Sequence, residues 1–239
     1  MQEIFAKAME NGLLVNNPAE NLSRPKAVEG THRALTAPER NAFLKVCETN
    51  LYGLWGLVMY YCGLRPGETG RIQGRHIDLK KRILHVDGTK TAAAKRDVPI
   101  PEKLAQRLAE RQVGAFNYLF INRFNSPINK TNRRRMWESI IKDMHIMMGG
   151  KTDYGDLRRV LMPTPVSPDL VPYCLRHDYC TRLQAAGVPI NVAREFMGHS
   201  SIEMTSRIYT HSSKESFESA LDKIDSFDSG VPMAVPHDR

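Results

Sequence analysis

The segment from Pro172 to His211 constrains this chain most, because its glycines divide it into short helices. Gly187 and Gly198 each follow the last residue of a helical apolar pattern. A glycine at that position readily adopts the left-handed conformation that ends a helix. The pattern therefore predicts two helices, over about 172–186 and 189–197.

A third helix is predicted directly after the second of these glycines. Ser200 and Glu203 form the S-x-x-E pattern of a capping box, which favours a helix start. Met204 and Ile208 lie four residues apart and share one face of the helix, which we expect to be buried. Tyr209 is next to Ile208 and is therefore turned away from that face, where its hydroxyl is available for chemistry.

Further candidate side chains lie in or beside these helices and beside an earlier one. Arg176 lies inside the first helix, and His199 occupies the tight connection before the third. Upstream, Arg65 follows the end of an apolar helix and precedes Pro66, so its backbone has few other conformations. Glu68, three residues after Arg65, is close enough to reach back toward it.

The remaining patterns predict a mainly α-helical fold with a small antiparallel sheet (α+β). Alternating apolar and polar residues predict a β-hairpin with Lys90 near its tip. A short apolar run at 118–121 is either a strand or a core segment. Other helices are expected over about 2–11, 37–48, 102–112 and 130–148 and over about a dozen residues ending at Gly63, with hairpin strands at 82–86 and 97–100. Thr36 and Glu39 form a second capping box, at the start of the helix over 37–48.

Charge is distributed unevenly along the chain, whose formal net charge is +8. Basic residues outnumber acidic ones from 65 to 111, whereas the sequence after 211 is mostly acidic. A basic body favours a nucleic-acid partner, because phosphate neutralisation releases counterions, although a solvated basic surface remains the alternative. The sequence shows neither a leader nor a long apolar run, so we expect a cytoplasmic protein without membrane contact.

Four cysteines show neither disulfide nor zinc-finger spacing, which is typical of buried thiols in a reducing compartment. Cys174, His177 and Cys180 lie three residues apart along a predicted helix, a spacing that could present metal ligands on one face. No second ligand pair follows at a suitable distance. Core packing is therefore the preferred interpretation, and neither a metal nor a cofactor is expected.

The side chains named above suit phosphoryl transfer through a tyrosine without a metal. Arg65 and Arg176 supply planar, permanently charged donors for the oxygens of a phosphorane-like transition state. The leaving 5′ oxygen needs a proton, which Lys90 on the hairpin is a candidate to deliver. Tyr209 is the candidate nucleophile once its phenol is deprotonated or its anion is stabilised.

Five short motifs, in this order, resemble the catalytic domain of tyrosine recombinases, the phage and transposon integrase family. The motifs are GLRPGE at Arg65, TKT at Lys90, LRH at Arg176, MGHSS at His199 and SRIYTH at Tyr209. The resemblance covers about 35–211, and agreement of several spaced motifs makes it specific.

This resemblance implies site-specific DNA recombination, in the integration and excision of a mobile element. Strands would be cleaved by the tyrosine hydroxyl through a 3′-phosphotyrosyl intermediate and religated without metal, cofactor or ATP. The implied partners are double-stranded DNA and further copies of the chain, in a homotetramer assembled on DNA. Accessory DNA-bending proteins are further candidates, and the DNA-bound protein would be nucleoid-associated.

One position departs from the family pattern. The family often has a histidine three residues before the second arginine, where this chain has Tyr173. A phenol accepts a proton poorly at neutral pH, so we expect Tyr173 to donate a hydrogen bond instead of acting as a base. His177 is expected to pack beside Arg176 or to orient it, and Glu68 to support Arg65.

The expected organisation has three parts. Residues 31–212 would form the catalytic domain, and residues 1–30 the end of a preceding core-binding module with its linker. Residues 213–239 predict a C-terminal helix and tail, whose apolar stripe packs either on its own body or in trans on a neighbouring molecule.

Two alternatives to a recombinase stay open at the level of sequence. Residues 187–209 also fit the helix-turn-helix of a non-catalytic DNA-binding protein, which leaves Arg65 and Lys90 without a role. A type IB topoisomerase shares the chemistry and differs in assembly. Tyr61, Tyr179 and Tyr173 are competing nucleophiles in principle, but Tyr61 and Tyr179 fall among apolar helix positions and are expected in the core.

Overall fold

The computed structural model describes residues 2–21, 32–88, 95–153, 160–199 and 201–209, except for the side chains of 2 and 207–209. The chain divides into two compact units, residues 1–31 and 32–239. The first unit contains helix α1 (Gln2–Glu10). Gly12 follows that helix with a φ of 71°, as the sequence predicts for its end.

The second unit is mainly helical and contains one small antiparallel sheet. Its helices are α2 (Ala37–Thr49), α3 (Gly53–Cys62), α4 (Glu102–Ala109), α5 (Lys130–Met147), α6 (Pro172–Ala185), α7 (Ile190–Met197) and α8 (Ile202–Tyr209). Its strands are β1 (Ile77–Asp78), β2 (Ile83–Val86) and β3 (Arg96–Pro99), in the order β1-β2-β3. The predicted fold class is confirmed.

Local signals set the helix ends. At the start of α2, Thr36 and Glu39 form the predicted capping box, in which each side chain accepts a hydrogen bond from the other's backbone N–H. Gly63 ends α3 and Gly198 ends α7, both in the left-handed region with a φ of 60°. These helices therefore end where the sequence predicts, because the capping residues act within a single turn.

The core of the second unit forms where α3 packs against α6 and α2 against α5. Burying one large apolar side chain stabilises the fold by about 1.5–3 kcal/mol relative to leaving it exposed. The largest fully buried apolar side chains on these four helices are Phe43, Trp55, Met59, Ile140, Met144 and Leu175. Within the described ranges, none of the helices combines the length and the apolarity that crossing a bilayer requires.

Helix α8 buries a different face from the one expected. Met204 is 47% exposed, whereas Thr205 is fully buried, so the predicted apolar face is wrong at Met204. The Thr205 hydroxyl lies 2.9 Å from Nδ1 of His199. A buried polar contact thus sets the rotation of the helix, and apolar spacing does not reveal such a contact. Ser200 and the side chain of Ile208 lie outside the described residues.

The sheet region also differs in detail from the expectation. Strand β1 was not predicted, because a two-residue strand is too short to show an alternating pattern. Helix α4 ends before 112, and the chain turns away at Gln112, which has a φ of 42°. The run at 118–121 is a core segment, with Leu119 and Phe120 buried. The predicted hairpin tip, residues 89–94, lies outside the described part of the chain.

Replacing Gly63 by alanine is expected to destabilise the fold by about 3 kcal/mol, the sum of left-handed strain and overpacking. A Cβ on Gly63 would lie 2.2 Å from Cδ1 of the buried Tyr179. The matched control is Gly149→Ala, since Gly149 also has a positive φ of 87° but nothing within 4 Å of its Cβ position. There we expect a loss of unfolding free energy of about 1 kcal/mol, from left-handed strain alone. Urea unfolding measures both, and equal losses would contradict the steric explanation.

Candidate active site

Arg65 lies in a turn that is anchored to the core. Trp55 Nε1 donates a hydrogen bond to Thr69 Oγ1 at 2.8 Å, and Thr69 Oγ1 donates to the Pro66 carbonyl at 2.8 Å. Glu68 accepts from the backbone N–H of Arg65 at 2.8 Å and from its Nη1 at 2.9 Å. The contact that the spacing predicted is therefore present. The Arg65 side chain is 31% exposed, so a ligand can reach it.

Three arginines converge on the C-terminal end of α7, where successive backbone carbonyls each accept a hydrogen bond from a different guanidinium. The bonds join Arg96 Nε to the Phe196 carbonyl at 2.7 Å, Arg176 Nη2 to the Met197 carbonyl, and Arg65 Nη2 to the Gly198 carbonyl at 3.1 Å. The last carbonyls of a helix lack partners within it and carry the negative end of its dipole. The end of α7 therefore favours this group of cations.

Arg176 is almost completely buried, at 5% exposure, and connects two helix ends. Its Nη1 donates to the carbonyl of Gly63, the capping residue of α3, at 2.6 Å, while its Nη2 bonds at the end of α7. Burial, followed by the charges of Arg65 and Arg96, lowers the pKa of Arg176 to about 9. The guanidinium therefore stays charged at pH 7.

Arg96 is a member of the site that sequence reasoning missed. It begins β3, is 1% exposed, and forms a two-pronged pair with Glu68, at 3.0 Å from Nη1 and 2.9 Å from Nη2. The strand alternates buried and exposed residues, and Arg96 falls in the buried phase with Val98. A charged residue at an inward position of an alternating strand is the signal that could have found it.

Glu68 stays ionised at the centre of this group. Burial by itself would raise the pKa of Glu68, but the hydrogen bonds and charge of Arg96 and the Arg65 backbone N–H outweigh it. The resulting pKa is about 2, below the ordinary value of 4.5. A carboxylate whose folded pKa is depressed stabilises the fold above its unfolded pKa, and that stabilisation is lost as pH falls through the folded pKa.

Replacing Glu68 by glutamine is expected to remove this pH-dependent stabilisation. At pH 7 the lowered pKa of Glu68 corresponds to a contribution of about 3 kcal/mol to the free energy of unfolding, of which about 2 kcal/mol should be lost by pH 3. The difference in unfolding free energy between wild type and Glu68→Gln should therefore shrink between pH 4.5 and pH 3, as measured by urea unfolding. Glu138→Gln, in an exposed pair with Arg134, should show no such change. A difference that is constant with pH would contradict the assignment.

His199 connects the arginine group to the last helix of the site. Burial, followed by the charges of Arg176 and Arg65, lowers the pKa of His199 to about 3, so its imidazole is neutral at pH 7. One ring nitrogen bonds to Thr205 Oγ1. Helix α8 ends at Tyr209, one helical turn after Thr205. The Tyr209 side chain and all of Lys90 lie outside the described residues.

Tyr173 and His177 flank Arg176 on α6. Tyr173 is 43% exposed and stacks on His32, with ring centroids 5.1 Å apart and planes 11° from parallel. His177 is half-buried, and its backbone carbonyl accepts from Thr181 Oγ1 at 3.2 Å. Where side chains are described, no group of three His, Cys, Asp or Glu residues is arranged to hold a metal ion.

Tyr179 and Tyr61, two of the three competing tyrosines, are poorly suited to act as nucleophiles. Tyr179 is buried, and burial raises its pKa. Tyr61 is half-buried, and burial raises its pKa as well. Both phenols are therefore harder to ionise than an exposed one.

A family model described as the phage integrase family matches residues 33–216, which is most of the chain. The chain belongs to the phage integrase family. The resemblance inferred from the five motifs is thereby confirmed.

Two named relatives show the range of proteins to which this integrase-family chain is similar. Tyrosine recombinase XerA of Thermococcus kodakarensis is 28% identical over 214 residues, covering 87% of this chain and 68% of that protein. The transposase from transposon Tn916 of Enterococcus faecalis is 26% identical over 190 residues, covering 69% of this chain and 42% of the transposase.

Solved structures share the fold at low sequence identity. The Tn1549 transposon integrase in complex with transposon right end DNA has a TM-score of 0.61 at 19% identity, covering 94% of this chain and 76% of that one. The crystal structure of XerA recombinase has a TM-score of 0.59 at 19% identity, covering 85% and 70%.

Family membership decides between the alternatives that the sequence left open. The chain is a tyrosine-type DNA recombinase, an enzyme of site-specific recombination. The non-catalytic helix-turn-helix interpretation gives no role to the convergence of Arg65 and Arg176 on the end of α7.

Proposed function

We propose that this recombinase cleaves and rejoins DNA strands through a 3′-phosphotyrosyl intermediate on Tyr209. One observation supports the proposal most: Arg65, Arg176 and His199 come together at the C-terminal end of α7, immediately before the helix that ends at Tyr209. Two guanidiniums and an imidazole at one place can donate hydrogen bonds to a phosphodiester and stabilise the charge of its transition state.

In the cleavage step, Tyr209 loses its phenolic proton to solvent water, and its oxygen attacks the phosphorus of the scissile phosphodiester. The bond from phosphorus to the 5′ oxygen breaks, and Lys90 gives a proton to the leaving oxygen. One phosphodiester replaces another in this step. In religation, the 5′ hydroxyl of a partner strand attacks the same phosphorus, and the bond from phosphorus to the Tyr209 oxygen breaks. Arg65 and Arg176 hold the non-bridging oxygens and stabilise their developing charge.

The neighbouring side chains complete the site. One ring nitrogen of His199 is occupied by Thr205, which leaves the other for a phosphate oxygen. The Tyr173 hydroxyl donates a hydrogen bond to the DNA from an exposed position next to the site. Glu68 holds Arg65 in place, and His177 orients Arg176 from the next position on α6.

The substrate that we propose is double-stranded DNA at the ends of a mobile element, in integration and excision. The net charge of +8 supports DNA binding, and relatives named as a transposon transposase and a transposon integrase support the type of element. Assembly as a homotetramer on DNA, with accessory DNA-bending proteins, belongs to the same proposal. The acidic segment 213–239 would then dock on the basic body of a neighbouring copy.

A suicide-substrate trap tests the proposed chemistry. Nicked duplexes tiled across the DNA that flanks the gene for this chain are incubated with the protein, and SDS-resistant adducts are isolated. We expect an adduct whose protease digestion gives a nucleotide-bearing peptide, with the modification at Tyr209. Duplexes that are bound without forming an adduct, or an adduct at another tyrosine, would overturn the proposal.

A further inference from the structure

Arg96 makes contacts that reach two separate parts of the site. Its Nε donates to the Phe196 carbonyl at 2.7 Å, two residues before the cap of α7. Its two terminal nitrogens donate to the two oxygens of Glu68. It also marks the point where the chain enters β3, shortly after Lys90. All three guanidinium nitrogens of Arg96 donate within the protein, and its side chain is 1% exposed, so we place Arg96 behind the phosphate-binding arginines instead of among them.

Glu68 is shared between the two arginines that pair with it. Oε1 accepts from Arg65 Nη1 and Arg96 Nη1, while Oε2 accepts from the Arg65 backbone N–H and Arg96 Nη2. If Arg96 were absent, Arg65 would be the only cation of the described residues still hydrogen-bonded to this buried carboxylate. A buried carboxylate needs a counter-charge, so Arg65 would be drawn fully into the ion pair. Its charge would then be cancelled where a phosphate needs it.

We propose that Arg96 is a positioning residue that keeps Glu68 from neutralising Arg65. By holding the Phe196 carbonyl, it also fixes the end of α7 that precedes His199. The inference rests on the proposed function of Arg65 as a phosphate-binding residue. The inference states that the Arg96 side chain acts through its positive charge, in addition to filling space and completing a buried ion pair with Glu68.

The test compares three variants in single-turnover cleavage of a nicked duplex that forms an adduct with the wild type. The variants are Arg96→Met, Arg96→Lys and the double variant Arg96→Met with Glu68→Gln. Rates are compared at equal folded fraction by circular dichroism, and DNA affinity is measured in parallel. Where Arg96→Met does not fold, Arg96→Gln replaces it, since an amide still donates to the Phe196 carbonyl.

Arg96→Met is expected to slow cleavage about 10- to 100-fold, because a small displacement of Arg65 costs that much in a positioned site. DNA affinity should change less, since most phosphate contacts lie away from the cleaved bond. Arg96→Lys keeps a charge but loses the two-pronged geometry, so its cleavage rate should lie between those of the wild type and Arg96→Met. The double variant should cleave faster than Arg96→Met, because a neutral amide at 68 no longer cancels the charge of Arg65.

Arg40→Met is the matched control. Arg40 donates to the fully buried Asp178 at 2.7 Å, so this change also breaks a pair with a buried carboxylate, but away from α7. It should lower stability and leave the cleavage rate at equal folded fraction unchanged.

A purely structural role of Arg96 predicts the opposite order, with the double variant no faster than Arg96→Met. That result, or a wild-type rate in Arg96→Met, would overturn the inference while the proposed function stands. If the wild type forms no adduct with any duplex that it binds, the proposed function fails, and the role of Arg96 fails with it.

Discussion

Replacing Tyr209 by phenylalanine is expected to abolish strand cleavage, with a loss of about 10⁴-fold or more, while leaving DNA binding unchanged. Removing the attacking oxygen removes the covalent step itself, and losses of this size are typical when a nucleophile is deleted. The measurement is the yield of SDS-resistant adduct at saturating protein, with binding followed by gel shift. Helix α8 ends at this residue, so the substitution removes one oxygen and leaves the helix backbone in place.

Tyr61→Phe is the matched control for this prediction. Tyr61 is half-buried on α3, and removing its hydroxyl changes the same chemical group outside the proposed site. It should form the adduct at the wild-type rate. An adduct that survives in Tyr209→Phe and disappears in Tyr61→Phe would show that the nucleophile is Tyr61 on α3, and would overturn the assignment to Tyr209.

Replacing Arg176 by lysine is expected to lower the cleavage rate by about 100- to 1000-fold, the range observed when a preorganised donor to a transition state is lost. Lysine keeps the positive charge but cannot bond both the Gly63 and the Met197 carbonyls while facing a phosphate. The ends of α3 and α7 would lose their shared connection. Measuring the single-turnover cleavage rate and the DNA affinity separately distinguishes an effect on the chemical step from an effect on binding. The rate should fall by a larger factor than the affinity.

Arg182→Lys provides a control on the same helix. Arg182 also bonds a backbone carbonyl, that of Tyr60, and stacks its guanidinium 3.8 Å from the centroid of that ring. Its loss should cost stability and leave the cleavage rate unchanged at equal folded fraction. If both substitutions slowed cleavage equally, the effect at Arg176 would be one of folding.

The contacts of Arg176 also explain how a buried arginine stays charged in this fold. It bonds backbone carbonyls at the negative ends of two helices, and Glu68, which pairs with Arg65 three positions before it, adds a compensating charge. Three guanidiniums close together repel one another, and one carboxylate offsets part of that repulsion. A bound DNA phosphate would offset more of it, so the free site is predisposed to bind an anion.

Sequence reasoning succeeded where a signal acts within one or two turns of chain. The capping box at Thr36 predicted the start of α2, and Gly63 and Gly198 predicted the ends of α3 and α7. The pairing of Arg65 with Glu68 followed from a separation of three residues. The sequence-based prediction failed at Met204, because the exposure of that residue depends on which face of α8 packs against α6 and α7.

The sequence by itself determined the helix ends, the mainly α-helical class and the family, because caps, periodicity and motif order are all local properties. Only the tertiary structure decided that carbonyls 196–198 serve as the common anchor of three arginines, and that Arg96 shares Glu68 with Arg65. The bonds of the three arginines to those carbonyls, and the bond of Arg96 to Glu68, join residues that are 21 to 133 positions apart in the chain. No local pattern encodes such a separation, because it is fixed only when β3, α3, α6 and α7 pack together.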